Sequence, residues 1–298
     1  MLSIRGLAKP QYFWRPGQLL RRIARELRPV GASETVRLPW NLTIEVTTSD
    51  SIGMALALQA LYDVVTTELV WRLAEPGETA LDVGANIGYF TSLLAARLGP
   101  TGSVYCWEPH PKTFQALQNN VERWRASPGV ASITVKNVAL SNRAGTATLA
   151  IWDKTNIGSS SISSQATDGS LSVQTDLLAN FLESVGQVGV MKLDVEGHEA
   201  LVLEGAGKYL GSAKIRDIVF EEHDPFPAPS HKLLLSSGYK IFWFEELLTG
   251  LRIIPPDGVP RRREYDLPPS FVATRDPARL ERRLATAGWK SFKAVSVP

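Results

Sequence analysis

Cysteine, one-sided charge and long apolar runs are all scarce in this chain of 298 residues. Cys106 is the only cysteine, which excludes an internal disulfide and a thiolate metal cluster and predicts a thiol packed in a strand core. The 32 Lys and Arg against 30 Asp and Glu leave a net charge of +2, so the overall charge gives no reason to expect a nucleic acid partner. No run approaches the ~20 apolar residues of a membrane span, and no secretory apolar segment opens the chain. We therefore expect a cytoplasmic protein without a transmembrane segment.

The first 31 residues are the exception to this balance of charge. They hold seven Lys and Arg against a single acid, Glu26, with three aromatic residues at positions 12 to 14. Such a segment can rest on an anionic membrane, but no sustained apolar face accompanies the charges, which favours a solvated helix over residues 17 to 27. We predict a basic N-terminal extension over residues 1–50. A second basic cluster, Arg261 to Arg263, is read as a solvated loop in preference to a site for an anionic acceptor.

A glycine-rich turn lies between a predicted strand at residues 79–83 and a predicted helix at residues 89–98. A dinucleotide fold expects G-x-G-x-x-G at such a turn, whereas residues 84–88 read G-x-N-x-G. Asp82 would repel a pyrophosphate, but its carboxylate suits an ammonium group such as the aminoacyl end of S-adenosylmethionine. Glu108 ends the next strand, about 20 residues on, and is placed to accept hydrogen bonds from two ribose hydroxyls. Together these residues favour an S-adenosylmethionine pocket over a strand, turn and helix without a ligand.

Strands and helices alternate after this turn, which predicts a parallel sheet with crossover helices. Residues 147–152 alternate like an antiparallel or edge strand. The polar segment at 153–172 is either a disordered insert or a lid that faces substrate. The other predicted strands are residues 103–107, 133–138, 188–194, 218–220, 239–244 and 271–274, and the other predicted helices are residues 52–73, 111–125, 177–183 and 198–210.

Acidic residues end four of the predicted strands, where open α/β sheets bind their ligands. If Asp82 and Glu108 hold the cofactor, Asp194 and Glu221 lie beside the reacting group. An alcohol acceptor must lose a proton, and a positioned base accelerates that step roughly 10²- to 10⁴-fold. Two carboxylates, Asp194 and Glu221, also have the oxygen ligands that Mg²⁺ prefers, so a metal is an open alternative. The candidate catalytic residues are Asp194, Glu196, Glu221 and His223.

Two of these assignments have a structural alternative. Asp194 and Glu196 can instead cap the helix that follows them, with Gly197 easing the turn. His198 begins that helix, and we expect it to be a partly exposed helical residue.

Four segments together resemble the FkbM family of S-adenosylmethionine-dependent methyltransferases over roughly residues 50 to 275. They are Leu81 to Tyr89 (LDVGANIGY), Trp107 to Pro109 (WEP), Asn137 to Ser141 (NVALS) and Lys192 to Glu199 (KLDVEGHE). The resemblance implies an α/β, Rossmann-like class I fold with a seven-stranded, mostly parallel sheet flanked by helices. It also implies a catalytic domain over residues 51–275, followed by a C-terminal tail over 276–298.

The resemblance further implies transfer of a methyl group to a hydroxyl of a sugar, polysaccharide or natural product. The implied cofactor-binding residues are Asp82, Gly84, Ala85, Asn86, Gly88 and Glu108, with Asn137 near the adenine. Three alternatives stay open. They are N-methylation of a small amine, a nucleotide-binding oxidoreductase, against which the G-x-N-x-G turn and Asp82 count, and a cofactor-binding scaffold without turnover.

Overall fold

The structure is a computed structural model that describes residues 10, 31, 33–151, 160–163, 169–254 and 270–292. The predicted helix at 17–27, the arginines at 261–263 and much of the polar segment at 153–172 lie outside the described residues.

Fourteen strands and nine helices are found in the described part of the chain. The strands are β1 (Ser33–Arg37), β2 (Thr43–Thr47), β3 (Thr79–Val83), β4 (Ser103–Trp107), β5 (Ser132–Lys136), β6 (Ala139–Ser141), β7 (Gly145–Ala150), β8 (Ser161–Ile162), β9 (Leu171–Leu177), β10 (Val188–Leu193), β11 (Ile215–Glu221), β12 (Lys240–Leu247), β13 (Gly250–Ile254) and β14 (Ser270–Thr274). The helices are α1 (Ser51–Gln59), α2 (Val64–Leu73), α3 (Tyr89–Leu98), α4 (Pro111–Arg125), α5 (Leu178–Ser184), α6 (Glu199–Glu204), α7 (Lys208–Gly211), α8 (Pro229–Ser236) and α9 (Pro277–Leu284).

The central sheet has eight described strands in the order β13-β12-β14-β11-β10-β3-β4-β5. The five strands from β11 to β5 run parallel, and β14, β12 and β13 are added antiparallel. The middle strand β10 is buried along its whole length, as expected for a parallel strand covered on both faces. The predicted Rossmann-like α/β fold is confirmed. The sheet has one strand more than the seven predicted, because β13 pairs with β12 at one edge through a tight hairpin.

Three predicted elements have different bounds in the structure. The helix predicted at 52–73 is two helices, α1 and α2, bent by 76° where Ala60 and Asp63 adopt positive φ angles. The helix predicted at 198–210 is α6 and α7. The strand predicted at 133–138 ends at Lys136, and β6 belongs to a second sheet of order β6-β9-β7-β8. This second sheet contains the predicted strand at 147–152 as β7.

Contacts cross both predicted domain boundaries. On the N-terminal side, Trp124 Nε1 in α4 donates to the Thr43 carbonyl at 2.6 Å, and the buried Trp40 packs edge-on against Tyr89. On the C-terminal side, Glu68 in α2 accepts from the backbone and hydroxyl of Ser291. The domain boundaries at residues 50 and 275 stay a prediction.

Within the described residues, no single helix is long and apolar enough to cross a membrane. The pair α1 and α2 meets the criteria of length and composition only when the two are joined across their bend.

The contacts of the buried Glu68 with the C-terminal segment predict a large loss of stability when its charge is removed. Its carboxylate also pairs with the buried Arg72 at 2.6 Å, so Glu68→Gln leaves a buried guanidinium without its counter-charge. We expect the free energy of unfolding to fall by about 3 to 5 kcal/mol in urea titrations. The exposed pair of Glu122 and Arg125 provides the control, because Glu122→Gln should cost less than about 1 kcal/mol. Equal effects of the two substitutions would contradict the assignment.

Candidate functional site

A cleft opens at the carboxyl ends of β3, β4 and β10 and encloses about 930 Å³, part of it open to solvent. The turn at 84–87 and Glu108 line one side, and residues 194–196 with His198 line another. Ser160, Ser161 and Ile162 close over it from the second sheet. The predicted cofactor turn and part of the predicted reaction cluster therefore share one cleft. Of the polar segment at 153–172, the described residues 160–162 face this cleft.

Gly84 is required by the approach of β10 to the turn. Its φ is +79°, and a Cβ atom there would lie 1.8 Å from the Asp194 carbonyl oxygen. Gly88 has φ +98° and lies against Leu117 and Trp124 of α4. Ala85 and Asn86 line the cleft, whereas Gly88 does not. The glycines thus bring the two walls of the cleft and the following helix together.

A buried lysine in β10 contacts the end of β3, the glycine turn and the residue that follows β10. Lys192 Nζ donates to the Gly84 carbonyl at 2.9 Å and lies 3.2 Å from Asp194 Oδ2 and 3.8 Å from Asp82 Oδ1. Burial acts to lower the pKa of Lys192, but Asp194 and Asp82 outweigh it and raise the pKa above its ordinary value. The ammonium group is therefore charged and fixes the backbone of the turn.

Asp82 is fully buried and does not line the cleft. Its Oδ2 accepts from Thr91 Oγ1 at 2.6 Å, and among the described residues its Oδ1 has no hydrogen-bond donor. Burial raises the pKa of Asp82, and the nearby Lys192 opposes that shift. This environment differs from the open contact with an ammonium group that the sequence predicted, because Thr91 and Lys192 already hold the carboxyl group. Direct contact between Asp82 and the cofactor stays a prediction.

Glu108 lines the cleft with both carboxyl oxygens bonded to backbone. It accepts from Asn86 N and from His110 N, each at 2.9 Å. Burial raises the pKa of Glu108 to about 7, against the two backbone donors. Asn137 is exposed, and its amide donates to the carbonyls of Glu108 and Pro109, so it braces the Glu108 segment. The next residue, Val138, lines the cleft.

Asp63, which the sequence analysis missed, forms a carboxyl pair with Glu221. Asp63 has a φ of +33° and caps α2, its Oδ1 accepting from Thr66 N at 3.2 Å. Its Oδ2 is buried, burial raises the pKa of Asp63, and hydrogen bonds from Thr66 and then from the Glu221 carboxyl oppose that shift. Burial, then Asp194 and Asp63, raise the pKa of Glu221 to about 10. Glu221 therefore holds its proton at neutral pH and is a hydrogen-bond donor, which opposes its predicted role as a base.

The half-buried Glu196 and the exposed His223 form a loose pair. Glu196 lines the cleft with a φ of +56°, and its Oε2 lies 3.7 Å from His223 Nε2. Burial and the neighbouring Asp194 raise the pKa of Glu196, and His223 opposes them. Glu221 and His223 do not line the cleft.

His198 is buried, which corrects the partly exposed position expected from the sequence. Its Nε2 lies 3.0 Å from Ser141 Oγ, and burial lowers its pKa. Glu199 is also buried and accepts from Val195 N and Gly197 N, which folds the segment after β10 back on itself. The KLDVEGHE motif thus shapes the cleft wall through Glu199 and His198.

The magnesium alternative finds no support. In the parts of the chain that the structure describes, no group of three or more His, Cys, Asp or Glu side chains has an arrangement that could hold a metal ion.

The close approach of Asp194 to Gly84 predicts that adding one methyl group at Gly84 destabilises the fold. Gly84→Ala must move the backbone of Asp194 and adopt a positive φ, so we expect a loss of about 3 kcal/mol or more in free energy of unfolding. Gly186→Ala, at a position with no atom near the added Cβ, should change stability by less than about 0.5 kcal/mol. Urea titration measures both, and an unaffected Gly84→Ala protein would refute the tight contact.

The raised pKa of Glu221 predicts that the stability of the folded chain depends on pH. Above the ordinary pKa of 4.5 the unfolded chain releases the Glu221 proton while the folded chain retains it, so stability falls as pH rises from 4.5 towards about 10. Glu221→Gln removes this loss and still donates to Asp63. The stability of Glu221→Gln relative to the unmodified chain should therefore increase from pH 5 to 9 in thermal unfolding. The exposed Glu183→Gln should show no such trend, and parallel curves for Glu221→Gln would exclude the shared proton.

Comparison with known proteins identifies relatives. The family model described as "Methyltransferase FkbM domain" matches residues 82–241, more than half of the chain. The hexuronic acid methyltransferase AglP of Haloferax volcanii is 28% identical over 193 residues, 59% of this chain and 75% of that protein. The 31-O-demethyl-FK506 methyltransferase FkbM of Streptomyces tacrolimicus is 27% identical over 242 residues, 69% of this chain and 88% of that protein. The solved structure of methyltransferase FkbM from Methylobacillus flagellatus is 15% identical, with a TM-score of 0.42 over 74% of this chain and 52% of that chain.

Proposed function

The chain belongs to the FkbM family and is an S-adenosylmethionine-dependent methyltransferase, and from this premise we propose that it methylates a hydroxyl group of a saccharide or natural product. One observation carries the proposal. The turn at 84–87 and Glu108 line the same cleft as Asp194 and Glu196, so the wall proposed to bind the cofactor faces carboxyl groups that can accept a proton. The names of the two relatives, a hexuronic acid methyltransferase and an O-demethyl-FK506 methyltransferase, support the acceptor class.

The residues present fit S-adenosylmethionine. Glu108 offers carboxylate oxygens to hydroxyl donors, and Val138, Leu140 and Ile162 supply apolar surface for an adenine ring. The buried Asp82 Oδ1, which lacks a donor in the described part of the chain, lies directly below the turn. The cofactor supplies an electrophilic methyl group on a sulfonium leaving group. Gly84, Ala85, Asn86 and Glu108 would hold it.

We assign proton removal to Asp194. It lines the cleft, whereas Glu221 already holds a proton and His223 lies away from the lining. Lys192, 3.2 Å from Asp194 Oδ2, orients the carboxylate. Asp194 would take the proton of the acceptor hydroxyl as its oxygen attacks, and the bound cofactor would supply the methyl group with its sulfur as the leaving atom. The half-buried Glu196 and the exposed His223 offer the proton a path to solvent.

Calorimetric titration with S-adenosylmethionine and, separately, with NADH tests the cofactor. Binding of S-adenosylmethionine alone supports the proposal, and binding of NADH alone would favour an oxidoreductase. Transfer of a labelled methyl group is then measured on neutral sugars, uronic acids and hydroxylated natural products. Cofactor binding without transfer to any member of this panel would leave the scaffold alternative in place of O-methylation.

Asp194→Asn tests the base on whichever acceptor is methylated. We expect kcat to fall roughly 10²- to 10⁴-fold, because the variant side chain cannot accept the proton. Cofactor affinity should change much less, and calorimetry on the same protein checks this. Asp224→Asn makes the same change at an exposed position and should leave kcat unaltered. A rate within twofold of the unmodified chain for Asp194→Asn would remove Asp194 from this role.

A second candidate, N-methylation of an amine, is favoured by the carboxylates of Asp194 and Glu196, which attract a cationic acceptor. Amino sugars distinguish the two reactions, because mass spectrometry places the added methyl group on nitrogen or on oxygen.

A further inference from the structure

A second opening lies at the other edge of the central sheet. Helices α2 and α3 each end shortly before a parallel strand begins, so their C-termini lie at the amino edge of the sheet, opposite the cleft. The C-terminal ends of α2, α3 and α9, with the segment up to Lys290, enclose a groove of about 530 Å³, counting the space open to solvent.

The lining of this groove is almost entirely basic. Five of its seven residues are cations, and no acid is among them. The remaining two are Trp71 and Thr286, and the five cations are Arg72, Arg97, Arg282, Arg283 and Lys290.

Two of the five cations have structural partners that account for them. Arg72 pairs with the buried Glu68 and donates to the carbonyls of Arg283, Thr286 and Gly288. Arg283 donates to the carbonyls of Arg72 and Ala74 and lies 3.8 Å from Glu75 Oε1. These donors satisfy the free carbonyls at helix C-termini, which is a sufficient reason for their positions.

The other three cations have no ion pair within the described residues. Arg97 Nε donates to the Trp71 carbonyl at 3.0 Å, and its guanidinium lies 5.5 Å from the centre of the Trp71 ring, but it has no ion pair. Arg282 and the side chain of Lys290 have no ion pair or hydrogen bond among these residues. Burial, then the nearby Arg283, lower the pKa of Arg97, and the acids Glu75 and Glu78 only partly oppose that shift. Lys290 lies beyond the last turn of α9, which ends at Leu284, so the dipole of that helix does not account for its position.

We propose that this groove binds clustered phosphate groups, presented by a free diphosphate or by an anionic lipid surface. Guanidinium groups form paired hydrogen bonds with phosphate oxygens, and an ammonium group adds a point charge. Arg97 is fixed by Trp71 and Arg283 by the helix carbonyls, so both present ordered donors. Arg282 and Lys290 are free to close on the ligand. The site is separate from the methyl-transfer cleft and does not depend on the proposed acceptor.

Calorimetric titration of the full chain with inorganic pyrophosphate at low ionic strength is the first test. We expect binding that weakens as salt is added. The double variant Arg282→Glu, Lys290→Glu should weaken it about tenfold or more, since two attractions become repulsions. The matched variant Lys232→Glu, Lys240→Glu changes net charge equally at exposed positions that do not line the groove, and it should bind as the unmodified chain does.

Sedimentation with vesicles separates the two sources of phosphate. Vesicles of phosphatidylcholine alone are compared with vesicles that also contain phosphatidic acid. Retention on the acidic vesicles that is lost in Arg282→Glu, Lys290→Glu, without pyrophosphate binding, assigns the groove to a lipid surface. Binding of pyrophosphate assigns it to a free ligand.

The proposal is overturned if the chain binds neither probe, or if both double variants weaken binding equally. S-adenosylmethionine binding should be unaltered in Arg282→Glu, Lys290→Glu, because these side chains have no hydrogen bond or ion pair among the described residues. Thermal unfolding should shift only slightly, through the acid placed in the last turn of α9. If that variant unfolds early, the neutral pair Arg282→Gln, Lys290→Gln replaces it in the same titration.

Discussion

The geometry of the cleft depends on one buried cation. Lys192 enters from the fully buried strand β10 and must compensate its desolvation with carboxylates, because an unpaired buried charge is strongly unfavourable. Asp82 and Asp194 supply that compensation from two neighbouring strand ends, and the Gly84 carbonyl accepts a hydrogen bond from the Lys192 ammonium group. The same lysine therefore fixes both walls of the cleft. Gly84 permits the arrangement, since any side chain there would meet the backbone of Asp194.

Charge is distributed in opposite ways at the two edges of the central sheet. Carboxylates gather at the carboxyl edge, where the crossover helices begin. Arginines gather at the amino edge, where those helices end. Helix α3 connects the two, starting at the glycine turn and ending beside Arg97. Helix dipoles favour this arrangement, because N-termini stabilise anions and C-termini stabilise cations. The dipoles do not explain Lys290, which lines the groove without an ion pair among the described residues and lies beyond the last turn of α9.

Proton positions in the cleft follow from burial. Glu221 and Glu108 have the same ordinary pKa of 4.5. Burial beside other carboxylates gives Glu221 the higher pKa in the folded chain, whereas two backbone donors limit the rise in pKa at Glu108. Asp63, the partner of Glu221, has a strained backbone with a positive φ angle. Strain of this kind persists where surrounding structure enforces it. A carboxyl group that holds a proton and a carboxylate held by Lys192 can therefore coexist beside one cleft.

The parallel α/β sheet, the glycine turn and the acidic strand ends can be predicted from the sequence, because they depend on local periodicity and on residues close together in the chain. Asp82, Glu108 and Asp194 became candidates through their positions at or just after the ends of strands. Tertiary packing was needed to show that Asp82 does not line the cleft, that His198 is buried, and that the Glu221 carboxyl interacts with Asp63, 158 positions earlier. Those outcomes depend on which elements pack together, and burial, not residue type, sets the charge of a carboxyl group.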